Sequence, residues 1–320
     1  MNLTAYYLNG SLFSLVPAHL RADFRWMADH GTTAVAISAY ERDLGRSHLW
    51  HLFATEAHAA GLKLYIVPSR WAGLVAGWPG APSRFCATRP DVVLRNAQGQ
   101  PHIEGCWGLM ASVHHPDTEK FYQECLRTVL QFDIDGIVWD EVKSLHLRDH
   151  HPLALQALGP NAPQERHIDA VADFFQRVTA YARTLRAGLQ TTLFLYGNLQ
   201  DYAVTRFAQI AALDYFGCDG RPFNREDAQS VIGLEGSLNL LLPHGQRFLT
   251  AARAQGKGGF LLIENMGLPA TAIAVVDRRM PEVLAMRAEH LAYYYYGADC
   301  EEPEWMMAVM GKHLRGLKTK

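Results

Sequence analysis

The stretch Asp135-Gly136-Ile137-Val138-Trp139-Asp140-Glu141 reads as a short, fully buried β-strand that ends abruptly in two acids. An apolar run of this length, opened by glycine, suits a strand covered on both faces. Burying a carboxylate with no partner or purpose is costly, so two consecutive acids at the end of such a strand mark Asp140 first, and Glu141 beside it, as candidates for chemistry. The structural alternative is that one acid caps the following segment or pairs with Lys143.

Working outward, the same alternation of apolar run and amphipathic stretch repeats in both directions. Towards the N-terminus the strands are Leu3–Leu8, Ala34–Ile37 and Leu64–Val67. Between them lie helices with apolar stripes Leu20, Phe24, Met27 (closed by Gly31) and Leu49, Phe53, Ala57, Ala60 (closed by Gly61). Pro116 opens a third helix at the position proline prefers, with Phe121, Cys125 and Val129 inward. Towards the C-terminus, a helix carrying Val171, Phe174, Val178, Ala182 and Leu185 ends at Gly188 and leads to the strand Thr192–Tyr196. Then come Tyr202–Ile210 and Leu213–Phe216, Arg247–Ala254 and Gly259–Ile263, Pro281–Glu289 and Leu291–Tyr296, and a closing helix Glu304–Leu314. Eight buried strands, each followed by a helix, predict a closed (β/α)₈ barrel, an α/β TIM barrel with long βα loops, formed by residues 1–320 as one catalytic domain. An open doubly wound sheet is the competing reading, but Asn9-Gly10-Ser11 is not the Gly-rich phosphate loop expected after its first strand.

Composition agrees with a folded globule: 49% of the 320 residues are hydrophobic and 19% charged. A formal net charge of −2 without a basic block argues against nucleic acid as a partner. Cys86, Cys106, Cys125, Cys218 and Cys300 are odd in number and widely spaced, so neither a disulfide framework nor a metal knuckle is expected. The start, Met1-Asn2-Leu3-Thr4-Ala5, has no signal-peptide character and no apolar run spans a bilayer, so the expectation is a cytoplasmic protein with no membrane partner.

Three connections are long: Ser69–His115, Val142–Ala162 and Gly217–Leu242. All follow strands, and in a barrel they therefore lie over the catalytic face. Within the first, Val92–Asn96 and His102–Cys106 flank Ala97-Gln98-Gly99-Gln100 as a hairpin across that face. Strand ends converge there. They supply Tyr6, Tyr7 and Asn9; Ser38, Tyr40 and Glu41; Ser69, Arg70 and Trp71; Asp140 and Glu141; Tyr196 and Asn198; Asp219 and Arg221; Glu264 and Asn265; Tyr296, Asp299 and Glu301. Aromatics among carboxylates and amides suit sugars, whose C–H faces stack on rings while their hydroxyls bond to polar groups. Cleaving a glycosidic bond needs two facing carboxyl groups.

The run His114-His115-Pro116-Asp117 through Phe121-Tyr122 and on to Asp135-Gly136-Ile137-Val138-Trp139-Asp140-Glu141 resembles (β/α)₈ glycoside hydrolases, in which a comparable segment carries the strand-4 carboxylate. Pro68-Ser69-Arg70-Trp71-Ala72-Gly73 is similar to the strand-3 exit of such proteins. Chitinase-like enzymes carry Asp-x-x-Asp-x-Asp-x-Glu here, but Val138 and Val142 stand where the second Asp and the Glu would fall. Families with Glu on both strand 4 and strand 7, often after Asn, would match Glu264 but meet Asp-Glu on strand 4. Amylase-like barrels want a Glu after strand 5, and Tyr196-Gly197-Asn198 has none. The α-galactosidase-like placement, an Asp nucleophile ending strand 4 and an Asp acid/base after strand 6, fits Asp140 with Asp219 best.

The expectation is thus a glycoside hydrolase, or a related transglycosidase, acting on a small saccharide or glycoside. Asp140 is the expected nucleophile, Asp219 the acid/base, and Glu264 the alternative acid. Tyr6, Arg70, Trp71, Glu141, Tyr196, Asn198, Arg221 and Asn265 are expected to bind the sugar. Asp219 has an alternative as an Asx turn within Gly217-Cys218-Asp219-Gly220, Arg70 as a salt bridge, and Trp71 and Trp107 as loop anchors. No organic cofactor is implied. His114, His115, His146, His150 and His151 lack metal-ligand spacing, so no metal is expected. Two rival readings are a metal-assisted hydrolase or isomerase using Glu264 with loop histidines, and a non-catalytic carbohydrate-binding barrel.

Overall fold

The computed structural model describes residues 1–7, 15–78, 80–232, 239–297 and 299–317. Leu8, Asn9 and the stretch Asn9-Gly10-Ser11 lie outside them. Eight strands close into a parallel barrel in chain order: β1 (Asn2–Tyr7), β2 (Ala34–Tyr40), β3 (Lys63–Ser69), β4 (Gly136–Trp139), β5 (Gln190–Tyr196), β6 (Tyr215–Gly220), β7 (Gly258–Ile263) and β8 (His290–Tyr294). The ring closes where Asn2 pairs with His290 and Tyr6 with Tyr294. Eight of the eleven α-helices among the described residues wrap the outside: α1 (Pro17–Asp29), α2 (Ser47–Ala59), α3 (Pro116–Val129), α4 (Gln164–Leu185), α5 (Asp201–Ala208), α6 (Leu241–Ala254), α7 (Ala270–Ala285) and α8 (Pro303–Arg315). This is a (β/α)₈ barrel. No helix among the described residues is long and apolar enough to cross a membrane.

Alternation along the strands divides the core in two. Tyr6, Ala34, Ala36, Tyr65, Val67, Val138, Phe194, Phe260, Leu262 and Ala292 fill the barrel interior. Their sequence neighbours Ala5, Val35, Ile37, Leu64, Ile66, Ile137, Trp139, Leu193, Leu195, Leu261 and Ile263 pack outward against the helices. Both faces are therefore apolar, which is why β2 and β4 read as unbroken buried runs. On β6 the inward position is Gly217, where a Cβ would stand 1.7 Å from the carbonyl oxygen of Phe260. Only glycine lets β6 and β7 approach there.

Several expectations need correction. β6 runs Tyr215–Gly220, not Leu213–Phe216, because its glycines disguise a strand. Asp219 is accordingly no Asx turn: it pairs in register with Tyr196 on β5 and Leu262 on β7. Pro281 does not open a helix but lies inside α7, and α6 begins at Leu241 rather than near Arg247. The hairpin around residues 97–100 forms, but as isolated bridges Arg95–Pro101 and Val93–Ala111; its short ladder joins Ile103–Glu104 to Gly108–Leu109.

Candidate active site

The inward rows of three strands end in acids. Val138 leads to Asp140, Gly217 to Asp219, and Leu262 to Glu264, all at the C-terminal mouth of the barrel. Alternation alone would turn Glu141 outward, yet its backbone adopts φ 37° and its carboxylate meets Lys143 and Asp219. One oxygen from each of Glu141, Asp219 and Glu264 lies within 4.8 Å of the others. Asp219 is hydrogen bonded to both glutamates.

Four carboxyl groups, Asp140, Glu141, Asp219 and Glu264, share this space with two cations, Lys143 and Arg221. Like charges in a desolvated site cannot all ionise. Burial, then the charge of Glu141, pushes the Asp140 carboxyl well above the usual carboxylate range, with Lys143 opposing. Burial, Glu141 and Glu264 do the same to Asp219. Glu264 is raised to about 7 by burial and Glu141, while the Arg221 guanidinium restrains the rise. Glu264 is partly exposed, whereas Asp140 and Asp219 are 5% and 2% exposed.

Lys143, 3% exposed, bonds Glu141 and the Tyr196 hydroxyl. Its Nζ stands 3.8 Å from the centroid of the Trp107 ring and 4.1 Å from that of Tyr196, so two aromatic faces hold the ammonium. Beyond it opens a cavity of about 490 Å³, lined by residues including Trp107, Lys143, His146, Tyr196, Asn198 and Asn239. Trp107 is carried there by the hairpin segment, which is tied down at Glu104: one carboxylate oxygen is 2.9 Å from His102 Nε2 and the other 2.9 Å from His146 Nε2. Asn239 bridges two strand exits. It accepts the Gly197 N–H at 2.8 Å and donates to Asp219 Oδ1 at 2.6 Å.

The structure gathers Asp140, Glu141, Asp219, Glu264, Tyr196 and Asn198 at the mouth, with Tyr6 as its floor. The Tyr6 hydroxyl is buried without a hydrogen-bond partner and feels the charges of Asp140, Asp219 and Glu141. Arg221 also reaches the site, its Nη1 buried and unpartnered.

Three expected sugar-binding residues are elsewhere engaged. Trp71 is fully buried, donates to the Ala39 carbonyl and packs on Tyr122 and Trp139, so it offers no platform. Arg70, 1% exposed, spends its guanidinium on the carbonyls of Gly73, Val75 and Trp107 and braces the loop. Asn265 uses both ends of its amide on the backbone of Tyr294, stitching β7 to β8.

The loop histidines do not form a metal cluster among the described residues. His115 and His151 instead cap helices, each accepting from the backbone N–H two residues on, just ahead of a proline. The carboxyl trio is the one group of described residues close enough to surround a cation, and Lys143 and Arg221 already bring positive charge there. Lys143 and Asn239 had no sequence signal as site residues. Lys143 was legible only as a neighbour for an acid, and Asn239 lies twenty residues past Asp219 with no motif around it.

No protein-family model and no curated protein matches this chain. Solved structures do. The catalytic domain of a β-amylase from Paenibacillus polymyxa aligns over 100% of this chain and 99% of its own, at 10% identity and TM-score 0.67. An endo-1,4-β-mannanase from Rhizomucor miehei aligns over 100% and 94%, at 10% identity and TM-score 0.63. A β-galactosidase from the haloarchaeon Halorubrum lacusprofundi gives 10% identity and TM-score 0.69 over 100% of this chain and 58% of its own. These neighbours are glycoside hydrolases. At such identities the likeness establishes the shared barrel and leaves the activity to be argued from the site.

Proposed function

We propose that the protein is a glycosidase acting on a small saccharide or glycoside, with Glu264 as the acid and Glu141 as the facing carboxylate. The observation that carries this reading is the crowding of four carboxyl groups against two cations at the barrel mouth. Such a set keeps a protonated and an ionised carboxyl side by side at neutral pH, which is what glycosidic cleavage needs. Glu264, partly exposed and titrating at about 7, suits the group that protonates the leaving oxygen. Glu141, with the Lys143 ammonium on it, suits the group that meets the anomeric carbon.

This allocation departs from the sequence expectation of Asp140 with Asp219. Burial and neighbouring charge favour the protonated form of both aspartates, which weakens Asp140 as a nucleophile. In the proposed scheme Asp219 steadies the two glutamates through its hydrogen bonds, and Asp140 completes the floor with Tyr6. One oxygen of Glu141 and one of Glu264 lie within 4.8 Å of each other. That is nearer the roughly 5–5.5 Å separation of retaining enzymes than the roughly 6.5–9.5 Å that admits a water between the groups. The proposed sequence is attack by Glu141 on the anomeric carbon as Glu264 gives its proton to the departing oxygen. Water, deprotonated by Glu264, then releases the sugar from Glu141. The cavity of about 490 Å³, with Trp107 as a wall and Asn198 and Asn239 as polar contacts, suits one or two sugar rings.

The test is a panel of 4-nitrophenyl α- and β-glycosides and short oligosaccharides, with the product anomer read by NMR. The expected result is turnover of at least one member with retained configuration. Absence of hydrolysis across the panel, or an inverted product, contradicts the corresponding part of the proposal.

A further inference from the structure

The residue that orders this carboxyl set is one that carries no charge. Asn239 sits immediately before the Arg221–Leu240 bridge and α6, where the chain returns to the barrel mouth. Its orientation is fixed without ambiguity. The Gly197 N–H can only donate, so the oxygen of the Asn239 amide must face it, and the NH₂ group must face Asp219 Oδ1. Gly197 leaves room for this: a Cβ there would stand 3.0 Å from the Asn239 oxygen. The pairing ties the exits of β5 and β6 to one side chain.

The consequence lies at Asp219. That residue is bonded to Glu141 and to Glu264, and its Oδ1 is occupied by the amide N–H. A carboxyl group whose one oxygen accepts from a fixed donor cannot rotate freely, and its other oxygen is left to remaining partners. We infer that Asn239 is a positioning residue that locks Asp219 with Oδ2 turned to Glu141 and Glu264, and so holds the two glutamates at their working separation. Without that N–H, Asp219 is free to turn, and the spacing of the glutamates is no longer enforced. Asn239 also lines the mouth cavity, so the lock stands beside the ligand space.

The kinetic part of this inference rests on the glycosidase reading; the structural part does not. Two variants separate the donor from other effects. Asn239→Asp keeps the acceptor for Gly197 and loses the donor, with an added charge. Asn239→Ala loses both without adding charge. On a 4-nitrophenyl glycoside that the wild type hydrolyses, kcat is expected to fall at least tenfold in both variants, with KM within about threefold, since orientation is lost rather than binding. Loss in the Asp variant alone assigns the effect to the added charge and overturns the inference, as does unchanged kcat in both. Independently of any activity, the Asn239 side-chain N–H of ¹⁵N-labelled protein is expected to resonate downfield, exchange slowly with solvent, and lose both properties in Asp219→Ala. An Asn239 signal that is unaffected by Asp219→Ala overturns the lock even if no glycoside is ever turned over.

Discussion

Glu141 and Glu264 leave β4 and β7 and bring carboxylate oxygens within 4.8 Å of each other, although one is on the strand's outward row and the other on its inward row. The left-handed backbone of Glu141 makes the meeting possible. That conformation is unfavourable for a residue with a side chain and is held here by the Lys143 ion pair and the Asp219 hydrogen bond.

Lys143→Met removes the ammonium bonded to Glu141 and leaves that carboxylate uncompensated in a desolvated site. Lys143 also lowers the proton affinity of Asp140 and Glu264. The variant is expected to lose kcat/KM by about a hundredfold and to shift its pH profile towards alkaline pH. Loss of activity without movement of the profile would show that Lys143 only supports the Trp107 loop.

The pH dependence of stability follows from Glu264, whose carboxyl is raised from 4.5 to about 7. A folded state that holds a proton more tightly than the unfolded chain gains stability from it. The gain is complete below about 4.5 and lost as pH rises through about 7. Glu264→Gln has no such titration. Its Tm relative to wild type is expected to rise by a few degrees between pH 5 and pH 8; a difference that is flat with pH contradicts the raised carboxyl.

Trp71 and Arg70 show where sequence reading stops. The exit of β3 is legible from Val67-Pro68-Ser69, but Arg70 at φ 60° and Ala72 at φ 49° reverse the chain in left-handed turns and swing the indole into the core. Trp71→Ala is therefore expected to cost about 3–5 kcal/mol of stability. KM for a glycoside substrate, measured well below the melting transition, should stay within about twofold. A selective rise in KM without destabilisation would restore Trp71 as a sugar platform.

Chelation bears on the rival metal reading. Lys143 and Arg221 supply the positive charge that a cation would otherwise bring to Glu141, Asp219 and Glu264. Activity is expected to survive exhaustive chelation. Loss restored by a single divalent ion would favour the metal-assisted alternative.

The barrel was legible because most of its strands are apolar on both faces, and β4 was placed to the residue. Glu264 was legible for the same reason, as the first polar side chain after Phe260-Leu261-Leu262-Ile263. Asp219 was read as a strand-end acid although the strand was misplaced, because Gly217, small beside the Phe260 carbonyl, hides the β character of its neighbours. The proposed allocation between Asp140 and Glu141 rests on features that the sequence does not display. It depends on one backbone dihedral and on Lys143 being caught between Trp107 and Tyr196, contacts that no local pattern encodes. Asn265 misled because an amide after a strand end looks the same whether it faces a ligand or, as here, the backbone of Tyr294.

The most direct test compares Glu141→Gln, Glu264→Gln and Asp140→Asn on one aryl glycoside that the wild type hydrolyses, each variant first shown to be folded. The account predicts that Glu141→Gln loses kcat by about a thousandfold or more. Glu264→Gln should lose about 10²–10⁴-fold, with recovery on a 2,4-dinitrophenyl leaving group that needs little protonation. Asp140→Asn should stay within about tenfold of wild type, because it exchanges one uncharged hydrogen-bonding group for another. A folded, nearly fully active Glu141→Gln beside an inactive Asp140→Asn would contradict the assignment and return the nucleophile to Asp140.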